Sequence, residues 1–413
     1  MGAARVRVAV IGAGIGGLTA AIALRRAGLE VEIFEQAPEI REVGAGITVQ
    51  CNAVTALAEL GLAERARALG HEQKLFRVCD ASGRLLYEAR PETILATAPQ
   101  LAMHRATLQA MLLDAAGRER VHTGKRCTGF EPSPSGVRAR FDDGAETEAD
   151  VLVGADGIHS AVRAQLLGDT PPRYAGYTGW RGVCRRVTDR GELWPPGVST
   201  EAWGRGRRFG IVPIDDARLY WYATRNAAAG AVDATPARAH LFEIFAGWFD
   251  PVAAILEATA ETSILRNDIL DRPPVERWGE GRVTLLGDAA HPMTPNLGQG
   301  GCQAIEDAVV LGRTLGHAAK SGSDLAAALR GYEAARRPRT RWIVEQSWRL
   351  GHAAQWENAW ARAARDAGLR ALAPLFIARS MRRAWTFAIT GRDSEPMDPG
   401  SAGSRSSGPP RPS

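Results

Sequence analysis

A glycine-rich turn between a short apolar strand and a helix at the N-terminus, a mid-chain run of alternating aromatic segments and a helical C-terminal third together predict an α/β protein. In it, a Rossmann-like nucleotide-binding unit is joined to an antiparallel sheet and followed by C-terminal helices.

Residues 5–11, RVRVAVI, read as a buried strand, and residues 14–27 carry apolar side chains at helical spacing up to Gly28. EVEIFE supplies the next strand, which completes a βαβ unit. A helix is expected over about 52–69, and another in ATLQAMLLDAAG. GVRARFDDGAETEADVLVGAD reads as a hairpin leading into a buried strand. From about 170 to 280 the segments GYTGWRGVCRR, STEAWGRGRRFGIVPI and ARLYWYATR alternate and are bounded by turns, with IDDA as a hairpin turn. HLFEIFAGWFDPVAAIL reads as a helix and RVTLLGD as a buried strand. A further helix is expected to begin near Gly300, and residues 324–390 read as helical around Pro338. The basic amphipathic stretch 370–390 suits either a membrane surface or packing on its own body, the commoner use. The last residues, from about Ser394, are rich in Pro, Gly and Ser and are expected to be disordered.

With 413 residues, 45% of them hydrophobic, the chain is long enough for two or three structural units. Its +5 charge is spread Arg with no basic stripe, which argues against nucleic acid. No 18-residue apolar run is present, so no membrane span is expected. Five cysteines without C-x-x-C spacing suggest free thiols in a reducing cytoplasm and no metal, and the eight histidines show no ligand spacing.

Three motifs carry chemistry. In VIGAGIGG, Gly12 permits a tight turn, Gly14 lets backbone approach a pyrophosphate and Gly17 lets helix lie close to strand. The helix N-terminus then offers N–H groups to phosphate, and Glu35, with Gln36 beside it, ends the next strand where an acid can bond ribose hydroxyls. The motif does not separate NAD from FAD. In DVLVGADGIHSAVR, Asp156 ends a strand before Ser160 and Arg163, and a helix cap is the simplest use of such an acid. In LLGDAAHPMTPNLGQGG, Asp288 stands at the C-terminal end of a strand, where α/β sheets hold ligands. Gly298, Gly300 and Gly301 strip side chains from the loop that follows.

In this order and spacing the three motifs resemble the single-component FAD-dependent monooxygenases, over nearly all of residues 5–345. The resemblance implies that Gly12, Gly14 and Gly17 hold the ADP pyrophosphate and Glu35 the adenosine ribose. It places Arg41 and Ala45 of REVGAGI near the flavin, Arg105 of MHRATL on the pyrophosphate or ribitol, and the Cys127 backbone on adenine. Asp156 would serve both FAD and NAD(P)H pyrophosphates, Asp288 the ribitol, and Gly298 to Gly301 the isoalloxazine. The absence of a second glycine fingerprint fits a family in which NADH or NADPH docks transiently. YAGYTGWRGV and GRRFGIVPIDDARLYWY are most similar to the urate hydroxylase and zeaxanthin epoxidase branch. Arg208 and Tyr220 fall where that branch builds its substrate pocket. Asn296 stands where the urate hydroxylase has an acid, and because an amide cannot act as a base, urate is disfavoured as substrate.

The implied organisation is a discontinuous FAD-binding domain over 1–169 and 281–345, a substrate domain over 170–280, a helical region over 346–393 and a tail over 394–413. The implied activity is hydroxylation of an aromatic or heteroaromatic small molecule through a flavin C4a-hydroperoxide, with FAD, NAD(P)H and dioxygen, by a cytoplasmic monomer or homodimer. An epoxidase or Baeyer–Villiger-type oxygenase on a hydrophobic or polycyclic substrate, and a non-catalytic flavin-binding protein, are the alternatives. A halogenase lacks its Trp-x-Trp-x-Ile segment here and a disulfide reductase its C-x-x-C.

Overall fold

The computed structural model describes residues 5–40, 45–94, 98–134, 136–189 and 191–387. Arg41 and the tail expected over 394–413 lie outside them.

The first sheet has six strands in the order Gly279–Glu280, Val283–Leu285, Val151–Gly154, Arg7–Ile11, Glu30–Phe34 and Val121–His122. All pair in parallel except Gly279–Glu280. Val8 to Ile11 are buried, as a strand covered on both faces requires. Helix Ile15–Arg26 packs on helix Gly300–Ser321. Gly312 and Gly316 of the second helix make this contact possible, because a Cβ on either would stand 2.8 or 2.5 Å from the Cβ of Ala23 or Ala27. Four-residue spacing puts both glycines on one face. The two nucleotide-binding stretches, far apart in sequence, are thereby fused into one layer.

The second sheet runs Leu265–Asp271, Arg173–Arg185, Arg218–Asn226, Arg207–Pro213, Val198–Trp203, Leu75–Asp80 and Leu85–Ala89. It is antiparallel apart from the parallel pairing of Val198–Trp203 with Leu75–Asp80. Its last two strands therefore come from the N-terminal part of the chain, not from 170–280. Ile214 to Ala217 form the expected hairpin turn. Alternation divides the sheet. Trp180, Phe209, Leu219, Trp221 and Ala223 form an apolar cluster with the helices Ala237–Ile244 and Val252–Glu257. The intervening positions are Arg208, Gly210, Tyr220, Tyr222 and Thr224, joined by Glu201 of the neighbouring strand, which pairs with Gly210.

Three expected helices are each broken in two. The first divides into Cys51–Glu59 and Ala63–Leu69 at Gly61, whose φ is +67°. The second divides at Gly247, φ +75°, ahead of Pro251. The third becomes Leu325–Ala354 and Ala359–Trp385; Pro338 stays inside the first, and Asn358 caps the second by accepting from the N–H of Trp360 and Ala361. Left-handed glycines end helices, which explains the first two breaks.

All five cysteines are free and buried. Among the described residues, no cluster could hold a metal ion and no helix is long and apolar enough to cross a membrane.

Candidate active site

The strand Arg7–Ile11 delivers the first cradle. Gly12 adopts φ +105°, and a Cβ there would stand 2.4 Å from the Ala155 carbonyl oxygen. At Gly17 a Cβ would lie 1.9 Å from the Gly12 carbonyl oxygen. These two glycines are therefore demanded by the protein itself. Gly14 is not: a Cβ there meets nothing within 4 Å. It is the N-cap of helix Ile15–Arg26, which has no side-chain cap and no acid in its first turn. The end of the helix thus presents its positive dipole to open space with no acid in its first turn, the setting for a phosphate.

Glu35 pins this turn to the next strand. Its Oε2 accepts from the Ala13 N–H at 2.8 Å and its Oε1 from the Ala37 N–H at 2.9 Å. Gln36 beside it is exposed. Cys127 opens the strand Cys127–Ser133; burial pushes its thiol up to about 11, so its side chain is inert. The Ala45 carbonyl accepts from the Arg105 N–H at 2.9 Å, which ties the start of strand Gly46–Val49 to the start of helix Arg105–Ala116, and Arg105 is exposed.

Asp156 does cap a helix: its Oδ2 accepts from the N–H groups of Ala161 and Val162 at 2.9 and 3.3 Å. Its Oδ1 is buried with no partner, and burial raises its pKa. A buried oxygen without a donor is costly, and a ligand hydroxyl or amide would relieve it. Arg163 bridges this motif to the third by donating from Nη1 to the carbonyls of Ala289 and Ala290 at 2.9 and 3.0 Å.

Asp288 is enclosed by protein yet open to solvent, the signature of a group on the floor of a deep cleft. Enclosure pushes its carboxyl up, while His291 and Arg105 pull it down. Gly300 follows the same logic as Gly14. A Cβ on it would meet only ordinary contacts, 3.8 Å from Asp288 Oδ1 and Met293 Cγ, so protein packing does not require glycine there. Gly298 is needed for its φ of +61° and because a Cβ would stand 2.8 Å from Gln50 Nε2; Gly301 meets Ile47 Cδ1 at 3.3 Å. Helix Gly300–Ser321 begins here without a side-chain cap, aiming a second positive dipole end into the cleft. The dipole ends, the orphaned Asp156 oxygen and the open carboxylate of Asp288 fit a pyrophosphate, a polyol and a flat ring in turn, the parts of FAD.

The three predicted catalytic positions meet this cleft differently. The Tyr220 ring lies against Gly46, where a Cβ would stand 2.3 Å from its Cγ, so the second sheet touches the strand that follows Ala45. Burial pushes the phenol of Tyr220 up to about 12. Arg208 donates from Nη2 to Asn296 Oδ1 at 2.7 Å, joining the sheet to the Pro295–Leu297 turn of the glycine loop. The Asn296 Nδ2 donates to Thr294 Oγ1 and the Ser347 carbonyl, both at 2.8 Å, and its Oδ1 also accepts from Tyr177 Oη at 3.1 Å. Every polar atom of Asn296 is thus engaged with protein.

Sequence reasoning missed Glu201, Tyr222 and Tyr177. Glu201 is buried, pairs with Arg208 Nη1 at 3.1 Å and accepts from Tyr222 Oη at 2.6 Å. An acid at an inward-facing position of STEAW was the available signal. Also missed was the buried network behind the loop. Gln50, Asn52, Gln299 and Gln303 lead to Glu306 and Asp307, which are held by Arg336 at 2.6 Å each. His291 belongs to it, with Nε2 2.6 Å from Asp307 Oδ2. A surface cavity of about 330 Å³ lined by Tyr87, Glu88, Arg90, Thr93 and Ile94 lies apart from all these motifs; Glu88 there is neutralised by Arg77, so the chemistry belongs to the glycine-lined cleft.

Known proteins agree with this assignment. The FAD binding domain family matches residues 5–347. The aurachin C monooxygenase/isomerase of Stigmatella aurantiaca is 46% identical over 356 residues, 86% of this chain and 91% of that protein. An FAD-dependent urate hydroxylase of Klebsiella pneumoniae is 39% identical over 346 residues, 82% of this chain and 88% of that one. The crystal structure of Klebsiella pneumoniae HpxO complexed with FAD and uric acid superposes with a TM-score of 0.85 at 36% identity, over 92% of this chain and 96% of that chain. The chain belongs to the FAD binding domain family and, within it, to the single-component FAD-dependent monooxygenases, close to the urate hydroxylase branch.

Proposed function

We propose that this monooxygenase hydroxylates a planar aromatic or heteroaromatic small molecule at the junction of its two sheets, with NADH or NADPH as reductant and dioxygen as co-substrate. The observation that carries the reading is the double contact between sheet and glycine loop: Tyr220 on Gly46, and Arg208 on Asn296. These contacts bring the polar face of the second sheet against the glycine loop that follows Asp288. FAD, when bound, supplies the redox and oxygen-transfer chemistry. Gly12, Gly14, Gly17, Glu35, Arg105, Asp156, Asp288, Gly298, Gly300 and Gly301 hold and orient it in this reading. Tyr220 and Tyr222 supply flat walls and neutral phenol groups beside the substrate. Asn296 positions Arg208 and the loop, since an amide bonded to four protein groups exchanges no proton.

The test is NAD(P)H consumption by the FAD-loaded chain with and without a panel of phenols, aromatic acids, quinolones, indoles and purines. Stimulation by one class, with a product heavier by one oxygen atom, is expected. A rate unaffected by every compound would overturn the reading.

A further inference from the structure

The polar face of the second sheet holds a charge balance that no motif reveals. Arg208 is only 3% exposed. Its Nε donates to Gln355 Oε1 at 3.1 Å, its Nη1 to Glu201 Oε1 at 3.1 Å and its Nη2 to Asn296 Oδ1 at 2.7 Å. Each of its three nitrogens therefore has an acceptor inside the protein. Glu201 is occupied as fully: Oε1 also accepts from Trp203 Nε1 at 2.8 Å, and Oε2 accepts from Tyr222 Oη at 2.6 Å. The two opposite charges cancel where they stand, and neither reaches for a ligand.

The two phenols beside the pair add no charge, and Arg181, a further guanidinium on this face, donates to Asn267 Oδ1 at 2.8 Å. Burial pushes the phenol of Tyr220 up to about 12 and that of Tyr222 well above its ordinary value, so both stay protonated at neutral pH. An aromatic carboxylate entering here would lose its hydration and gain no free cation from Arg208 in exchange.

We propose that Glu201 is a specificity-determining residue: by pairing with Arg208 it sets this pocket for uncharged aromatic substrates and against aromatic carboxylates and other anions. The proposal rests on the hydroxylase reading above, and names the substrate class of that site. Glu201 acts through Arg208, so it is a positioning residue and not a catalytic one.

The test uses the FAD-loaded full chain and two readouts. The first needs no substrate: quenching of the bound flavin's fluorescence by iodide, divided by quenching by neutral acrylamide. Glu201→Gln leaves Arg208 uncompensated and is expected to raise this ratio about threefold, the scale of one unit charge a few ångströms away in a partly shielded site. Arg208→Gln leaves the carboxylate uncompensated and is expected to lower it. Glu201→Asp keeps the charge and is expected to match the wild type. The opposite signs separate lost charge balance from general loosening, which would raise both quenchers together. The second readout is titration of the flavin visible spectrum with matched pairs, phenol against salicylate and a quinolone against its carboxylate. The wild type is expected to prefer the neutral member at least about tenfold, and Glu201→Gln to erase about tenfold of that preference. An unchanged iodide ratio in Glu201→Gln would overturn the proposal. So would a wild-type preference for the anion, which would move anion recognition to Arg181, a second guanidinium on this face, bonded to Asn267. If the ratios shift as expected while no panel compound stimulates NAD(P)H consumption, the charge assignment stands and the hydroxylase reading falls.

Discussion

Asp288 shows how the surroundings of one side chain point to the kind of ligand it suits. A carboxylate surrounded by protein but left open to solvent, with its pKa raised by enclosure, is disfavoured as an anion unless a ligand donates to it. The sign follows: a raised folded-state value favours the folded, ligand-free chain at acid pH, and this contribution is lost as pH rises through it. Polyol hydroxyls donating to the carboxylate would reverse the penalty. Asp288→Ala is therefore expected to weaken FAD binding roughly 10- to 100-fold, since a hydrogen bond to a charged group is worth about 1.5–3 kcal/mol. Fluorescence titration of the apoprotein checks this, and affinity within twofold of wild type would refute the ribitol role. Asp288 and the cradle glycines were legible in sequence because strand, turn and helix place them by local rules. Glu201 was not, because its meaning depends on Arg208 and Tyr222, which reach it only through sheet register.

At the scale of elements, helix Gly300–Ser321 has to hold its N-terminus steady against the cleft, and the buried charges behind it do this. Asp307 Oδ1 accepts from Arg336 Nε at 2.6 Å and Oδ2 from the Gly287 N–H at 3.1 Å, so one carboxylate ties this helix to Leu325–Ala354 and to the Asp288 turn. Despite burial, His291 and Arg336 hold its pKa at about 2, below the ordinary 3.8. A depressed carboxylate contributes stability that is complete above its unfolded value and is lost as pH falls, here between about 4 and about 2. Asp307→Asn is expected to cost about 3–5 kcal/mol, because it leaves Arg336 and His291 facing a neutral amide. Denaturant unfolding across the acid limb checks this: the wild type loses stability in that window and the variant shows a shallower slope. An unchanged midpoint at neutral pH would show that Glu306 holds Arg336 alone. The helix itself was readable from its apolar spacing. The breaks at Gly61 and Gly247 were passed over because a glycine inside an apolar helical pattern leaves the periodicity intact while its left-handed φ ends the helix.

At the scale of the whole molecule, the two largest sheets are tied together by a C-terminal brace. Helix Leu325–Ala354 locks the flavin loop through Ser347, whose carbonyl accepts from Asn296, and helix Ala359–Trp385 packs against the Leu75–Asp80 and Leu85–Ala89 end of the second sheet. There Trp385 and Ala384 are buried in a cluster with Val78, Leu86, Tyr87, Ile94 and Trp203, while Arg365 lies over the Trp203 ring at 5.0 Å. This is why Leu75–Asp80 and Leu85–Ala89 belong to the second sheet. Their outer faces need a cover, and the C-terminal helix provides it. Sequence alone could not show this, because the contact joins segments nearly 300 residues apart and neither carries a motif. At this end the helix buries Trp385 against its own chain. Trp385→Ala is expected to cost about 3–5 kcal/mol, the range for deleting a buried aromatic ring. Because the cluster includes none of the cradle glycines, Glu35 or Asp288, the FAD dissociation constant is expected to stay within about twofold, well under the tenfold that 1.4 kcal/mol would produce. Thermal unfolding and flavin titration on the same preparation decide it. A lower Tm with intact FAD binding identifies the helix as a brace for the sheet alone. Parallel loss of both would mean that the brace also sets the width of the cleft, transmitted through Trp203 and its hydrogen bond to Glu201.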